Sequence, residues 1–316
     1  MATASAVTQT YVEPGIVENL GVGADLLDRE FDLLVNRFNK VPLQGSPLFK
    51  TVSAVKDTYK HGSVSNSVEQ PRENMDSDDL PWVTPAPGYD KSFTIVNYRS
   101  GIRVTRQMVE DQIHGKVRYM MSGLVDSARR RIEYGMAGVF NNAFASVIGG
   151  DGMYLVDADH PNEARESGVW SNLETAGALT HTSYSTARVN LRKRRNERGE
   201  VMGLNPTVLV VTPDDEETAK RIFNSEKISG GALNDENPWK GEVQLKVYDY
   251  LSSTTAWFLF GDIPKEFCGL LYVQRVAPNV APWPANNTDV LMAKRLRMRY
   301  AVGFNTERNL QGNAGA

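Results

Sequence analysis

The sequence predicts an α+β fold, and three observations carry that reading. No proline interrupts the chain between Pro87 and Pro161, and apolar residues recur there at three- or four-residue steps, the period of one face of a long helix. Ahead of that stretch, residues 49–100 hold two β-leaning runs on either side of a polar excursion. Behind it, short helical and strand-like segments mix and end in a strand of period two.

The elements follow in order. The first 48 residues are broken by Pro14, Gly15, Gly21, Gly23, Pro42 and Pro47. Within them Leu26, Leu27, Phe31 and Leu34 share one helical face. Such a piece has little core of its own and is expected to pack elsewhere on this chain or on a neighbouring one. Next, Val52 and Ala54 lie in one β-leaning run and Phe93, Ile95 and Tyr98 in another. Between them runs a polar segment carrying Asp76, Asp78 and Asp79 with Pro81, Pro85 and Pro87, which reads as a projecting arm.

Val109, Ile113, Val117, Met120, Leu124, Ala128, Ile132, Met136, Phe140 and Ala143 then predict one helix, with Thr105 as N-cap and Gly149-Gly150 as stop. Its expected length is roughly 65 Å. Internal glycines such as Gly123 and Gly138 cost about 1 kcal/mol each against alanine. They either permit close packing or mark a bend.

Ser183 to Glu197 reads as a helix burying Tyr184, Ala187 and Leu191, and Thr207 to Val211 as a buried strand. Thr212-Pro213-Asp214-Asp215 starts another helix, with proline in the first turn and acids at the positive helix end. Val243 to Tyr248 and Ala256 to Phe260 are expected to pair as an antiparallel hairpin, and Leu270 to Gln274 is a further strand. From Val290 to Phe304 the alternation is clear: Met292, Leu296, Met298, Tyr300, Val302 and Phe304 on one face, Arg295, Arg297 and Arg299 on the other. The tail from Gln311 is small and polar.

Composition excludes several classes. With 41% hydrophobic and 23% charged residues over 316 positions, the chain folds rather than staying disordered. A single cysteine, Cys268 in an apolar setting, rules out a disulfide framework and a cysteine zinc site. No apolar run approaches the roughly 18 residues of a membrane helix, and the N-terminus lacks the pattern of a signal peptide. A formal charge of −3 argues against a wholly basic nucleic-acid binder.

No phosphate-loop, dinucleotide, zinc-protease or nucleophile-elbow motif is present. The expectation is therefore no enzyme: no catalytic residues, no cofactor and no metal. Asp157, Asp159 and His160 come nearest to a ligand cluster, and a turn with solvated acids explains them more simply. Basic residues gather at Arg129, Arg130 and Arg131, at Arg192, Lys193, Arg194, Arg195 and Arg198, and at Lys294, Arg295, Arg297 and Arg299. Each cluster could touch nucleic-acid phosphate or another subunit. The arginine stripe could equally meet acids on a neighbouring strand or subunit, and the acidic run at Asp76 to Asp79 reads as a solvated tip or as an intersubunit partner for one of the clusters.

The order of elements resembles the Hong Kong 97-type major capsid proteins of tailed bacteriophages. Local runs support it: Asp159-His160-Pro161-Asn162 with Trp170-Ser171-Asn172-Leu173, then Glu197-Arg198-Gly199-Glu200 before Leu204-Asn205-Pro206-Thr207, then Asn237-Pro238-Trp239 and Ala256-Trp257-Phe258-Leu259-Phe260. The resemblance implies an N-terminal arm over residues 1–48 and an E-loop hairpin over 49–100. It implies a P-domain with spine helix over 101–160, an A-domain over about 161–275, and a P-domain return strand with tail over 276–316.

It also implies a shell subunit that forms pentamers and hexamers of an icosahedral head around double-stranded DNA. Assembly would take place in host cytoplasm, with a separate scaffolding protein, a portal at one vertex, an optional decoration protein and no membrane. Leu26, Leu27, Phe31, Leu34, Asp76, Asp78, Asp79, Arg295, Arg297 and Arg299 are then candidate assembly contacts. Arg129, Arg130, Arg131, Arg192, Arg194 and Arg195 are candidate DNA or intersubunit contacts. The E-loop crosslink of some relatives cannot be matched here, so Asn305 and Asn309 beside Glu307 are read as ordinary tail residues. An encapsulin-like compartment shell, which encloses cargo protein, is the alternative.

Overall fold

The computed structural model describes residues 42–61, 82, 88–111, 114–162, 168–196, 198–228, 236–262, 269–284 and 289–315. The chain divides into two compact units. Unit 1 takes residues 1–43, Val96–Ile132 and Val276–Tyr300, and unit 2 takes Gln44–Ile95, Glu133–Arg275 and Ala301–Ala316. The elements are β1 (Lys50–Ser53), β2 (Thr58–His61), β3 (Lys91–Thr94), β4 (Val96–Thr105), α1 (Arg106–Glu110), α2 (His114–Asn141), β5 (His160–Pro161), β6 (Val169–Trp170) and α3 (His181–Arg192). They continue with β7 (Pro206–Val211), α4 (Glu216–Asn224), β8 (Gln244–Val247), β9 (Trp257–Gly261), β10 (Leu270–Pro282), β11 (Val290–Phe304) and β12 (Leu310–Asn313).

In unit 1, β11 pairs antiparallel with β4 over the run from Val290↔Thr105 to Tyr300↔Val96. The long helix is shorter than its periodicity predicts. Thr105 ends β4, and its Oγ1 accepts the Met108 N–H at 3.4 Å, so it caps only the five-residue α1. The main helix, α2, spans 28 residues, roughly 42 Å. It buries Val117, Met121, Leu124, Val125, Ala128 and Ile132 before continuing into unit 2. Gly123 and Gly138 do not serve close packing inside the chain, because a Cβ at either would meet open space.

In unit 2, α2 ends at a pair of asparagines. Asn142 Nδ2 donates back to the Gly138 carbonyl at 2.8 Å, and Asn141 holds the Tyr250 carbonyl and the Ser252 N–H. Side-chain amides that compete for backbone groups in this way stop a helix that apolar spacing alone would extend. The main sheet has the order β12-β9-β7-β8. β7 lies parallel to β8 and antiparallel to β9, so the hairpin expected between the last two does not form. Leu209, Val210 and Val211 of β7 are fully buried, which is what a central strand needs.

α3 starts at Thr180, whose hydroxyl accepts the Ser183 N–H while Ser183 Oγ accepts the Thr180 N–H, a capping box. It ends at Arg192, five residues before the expected Glu197, and buries Tyr184, Ala187 and Leu191 as the spacing requires. With Leu209, Ile222, Phe223 and Trp257 these form the main core. A smaller core joins Ala54, Phe93, Ile95, Leu271 and Val273, where β1 lies parallel to β10. The β-leaning run at 50–61 splits into β1 and β2, and β2 pairs with β3 from Thr58↔Thr94 to His61↔Lys91, so the polar excursion is rooted on a two-stranded ladder.

The C-terminal segment is strand rather than free tail: β12 pairs with β9, and its polar side chains are buried. Asn305 and Asn309 are buried too, which corrects their reading as ordinary tail residues, and Glu307 is buried beside them.

Candidate functional site

Leu26, Leu27, Phe31, Leu34, Asp76, Asp78, Asp79 and Cys268 lie outside the described residues. The arginine stripe does not. Residues directly opposite in an antiparallel ladder point to the same face. The register sets Arg297 opposite Arg99, Ala293 opposite Arg103, Arg295 opposite Gly101 and Arg299 opposite Asn97. Arg99, Arg103, Arg295, Arg297 and Arg299 therefore share one face of unit 1. The alternative in which the stripe meets acids on a neighbouring strand is not met on β4, which sets Arg99 opposite Arg297. Like charges directly opposite destabilise a ladder.

Arg295 lays its guanidinium over the Trp283 ring at 4.1 Å, and a cavity of about 310 Å³ opens between Trp283, Arg295, Gly101 and Arg103. Lys294 does not belong to this stripe. It is buried on the opposite face, as its parity in the strand requires. Arg99 and Arg103 were missed by sequence reasoning, although their spacing of four in a period-two strand was the available signal.

The helical cluster is largely spent on its own unit. Arg129 Nη2 donates to the Pro42 carbonyl at 2.6 Å. Arg131 sits over Tyr98 at 4.8 Å, Tyr98 stacks on Tyr300, and the Tyr300 hydroxyl donates to the Arg131 carbonyl at 3.0 Å. Arg130 is exposed.

The third cluster is split. Arg192 closes α3 in solvent, and Arg195 is exposed. Arg194 is 5% exposed, which removes it from any surface contact with DNA. Its guanidinium lies over Trp170 at 4.7 Å and donates to Gln311. Arg308 also sits over Trp170 at 4.7 Å. Burial, then the neighbouring Arg308 charge, pull the Arg194 pKa down to about 10 against the opposing pull of Glu174 and Glu307. No local signal links positions 170, 194 and 308, so sequence could not have found this stack.

The loop acids also sort differently from expectation. Asp157 Oδ1 accepts the N–H groups of Ala158 and Asp159, an ordinary turn. His160 turns inward instead. Its Nδ1 lies 2.7 Å from Asp151 Oδ2 and 3.7 Å from Glu307 Oε1, and its ring stacks on Trp170 at 4.5 Å. The Asn172 amide is oriented by donating to the Leu155 carbonyl and accepting from the Asp157 N–H, so its Oδ1 faces His160 Nε2 at 3.2 Å. Asp151, His160 and Glu307 hold ligand-type atoms within 4.8 Å of one another. The hydrogen bonds within the group account for His160 on both ring nitrogens, and the cluster pins the loop after α2 to the chain near Glu307.

Comparison with known proteins gives one family. A profile of the phage capsid protein family matches residues 88–311. No curated protein matches the sequence. Among solved structures, the procapsid of bacteriophage JBD30 is similar with a TM-score of 0.52 at 12% identity, covering 93% of this chain and 75% of that one. The capsid of the native GTA particle gives 0.53 at 11% identity, covering 87% and 91%. The capsid of Cyanophage P-SCSP1u gives 0.51 at 9% identity, covering 85% and 86%. The likeness establishes the fold, α+β of the Hong Kong 97 type.

Proposed function

The chain belongs to the phage capsid protein family, a structural component of the virion capsid and not an enzyme, and from that premise we propose that its copies assemble into pentamers and hexamers. These close an icosahedral shell around double-stranded DNA, with a separate scaffolding protein, a portal at one vertex and non-specific contacts to the packaged duplex. Residues 1–48 act as the arm, 49–100 as the E-loop, 101–160 and 276–316 as the P-domain and 161–275 as the A-domain.

The observation that supports this reading is the arginine face. Arg99 stands opposite Arg297, with Arg295 and Arg103 on the same face of the ladder. A face built against itself electrostatically is stabilised when an anionic partner covers it. The partner proposed is the acidic segment with Asp76, Asp78 and Asp79 on a neighbouring copy. Leu26, Leu27, Phe31 and Leu34 would bury apolar surface between copies, at about 25 cal/mol per Å².

The test is electron microscopy of the chain expressed alone and with a scaffolding partner, with the A260/A280 ratio of any particles. Closed shells or capsomer rings, nucleic-acid-rich after packaging, are the expected result. A monodisperse monomer at every salt concentration overturns the proposal. Particles filled with cargo protein overturn its DNA-enclosing part.

A further inference from the structure

Unit 2 holds a cavity of about 460 Å³ beside Trp170. Four cations line it: Arg194 and Arg308, both buried, and Lys193 and Arg195 at the exposed rim. The remaining polar lining is amide and hydroxyl, and among the described residues no carboxylate lines it. Its size falls in the range of small-molecule sites.

The buried arginines are held in place and one is left unsatisfied. Arg308 Nη1 donates to the Arg195 carbonyl at 3.0 Å and its Nη2 to Asn162 Oδ1 at 3.0 Å. Arg194 gives Nη2 to Gln311, while its buried Nη1 has no hydrogen-bond partner. Among the described residues, Arg194 is in no ion pair. The buried Glu174 is engaged by amides: its Oε1 accepts from Asn190 Nδ2 and Gln311 Nε2, both at 2.7 Å. A buried guanidinium with an open donor is costly unless an anion meets it. Burial is the main cause of the lowered Arg194 pKa, ahead of the neighbouring Arg308 charge.

We propose that this cavity binds a small, multiply charged phosphate anion of the pyrophosphate class. A phosphate oxygen can accept from the unpartnered Nη1 of Arg194, and Lys193 and Arg195 at the rim add charge-assisted donors for the outer oxygens. A duplex backbone does not fit, because the strongest donor lies inside the cavity and not on a surface that a helix could track. The proposal does not depend on the shell reading, since it is tested on the dissociated chain.

The experiment is calorimetric titration of the full-length chain with pyrophosphate, orthophosphate and a short DNA duplex, at ionic strength held constant with chloride. Saturable binding of one pyrophosphate per chain is expected, tighter than orthophosphate, together with a melting temperature that rises with ligand concentration. Lys193→Ala combined with Arg195→Ala, both at exposed positions, should weaken pyrophosphate by at least about tenfold and leave the unliganded melting temperature unchanged. Arg194→Lys keeps the charge but cannot hold Gln311 and present a second donor from one planar group, and should weaken it as well. Should Arg194→Lys fail to fold, the rim variant decides alone. Non-saturable heat, or affinity unmoved by the rim variant, overturns the site. Duplex that displaces pyrophosphate overturns the small-anion assignment.

Discussion

Glu133 shows how much one side chain can fix. It is 1% exposed, and its carboxylate accepts the N–H groups of Gln44 at 2.5 Å and Gly45 at 3.2 Å. The Tyr248 hydroxyl lies 3.1 Å from the same group, and burial together with that charge raises the Tyr248 pKa. The segment at Gln44 and Gly45 is thereby tied to α2 and to the loop after β8. In the sequence Glu133 is one more acid in an Arg-Arg-Ile-Glu run, and nothing local says it is buried. Glu133→Gln sets an NH2 against donors that need an acceptor, so it should cost about 2–3 kcal/mol, read as an earlier midpoint in denaturant. An unchanged midpoint would show that the carboxylate is not the tie. Asp215 runs the other way. It stands at the N-terminus of α4 without a side-chain cap bond, its Oδ2 has no partner, and burial followed by the Asp214 charge raises its pKa. A raised carboxylate pKa opposes folding once the group is ionised, so its penalty appears as pH rises through the ordinary carboxylate range and fades as pH falls. Asp215→Asn should therefore raise the melting temperature slightly at neutral pH and lose that advantage in acid. A lower melting temperature at neutral pH would refute this.

At the scale of elements, legibility followed whether a strand had one apolar face. β11 has one, and its range and its arginine face were both readable from alternation. β12 does not. Its Gln311 and Asn313 are 2% and 1% exposed, and they are buried by satisfying amides rather than by apolar packing. Gln311 bonds Glu174, while Asn313 takes the Gly177 and Gly315 N–H groups and gives to the Thr175 carbonyl. A polar strand closed by long-range side-chain bonds leaves no hydropathy signal. The expected pairing of β8 and β9 failed because nearness in sequence does not fix strand order: β7, with Leu209, Val210 and Val211 buried, takes the place between them. The pairing of Arg99 with Arg297 leads to an opposed pair of effects. Arg297→Ser removes a repulsion worth roughly 0.2–1 kcal/mol, so the isolated chain should melt no earlier than the parent. The same change should lower particle yield, because it removes part of the proposed intersubunit contact. Melting and negative-stain yield measured side by side check it. Earlier melting with a full yield would show that the face serves the fold and not assembly.

At the scale of the whole molecule, two kinds of contact are proposed to hold copies together, and salt separates them. Charge pairs at a wetted surface fade beyond a Debye length of about 8 Å at physiological ionic strength, whereas apolar burial by Leu26, Leu27, Phe31 and Leu34 does not weaken with salt in that way. A shell held chiefly by the arginine face should loosen as sodium chloride rises, and one held chiefly by the arm should not. The pairing itself is decided by charge exchange. Arg297→Asp places an acid beside Arg99 on the ladder and repels an incoming Asp78; Asp78→Arg repels the native face. Each alone should reduce particle yield. Combined, they restore one opposite-charge contact between copies, so yield should recover above either single variant, the non-additivity of residues that touch. A combined variant no better than the worse single one would separate the acidic segment from this face. The arginines would then be left to the packaged polyanion, a reading that predicts reduced retention of DNA for Arg297→Asp at unchanged shell yield.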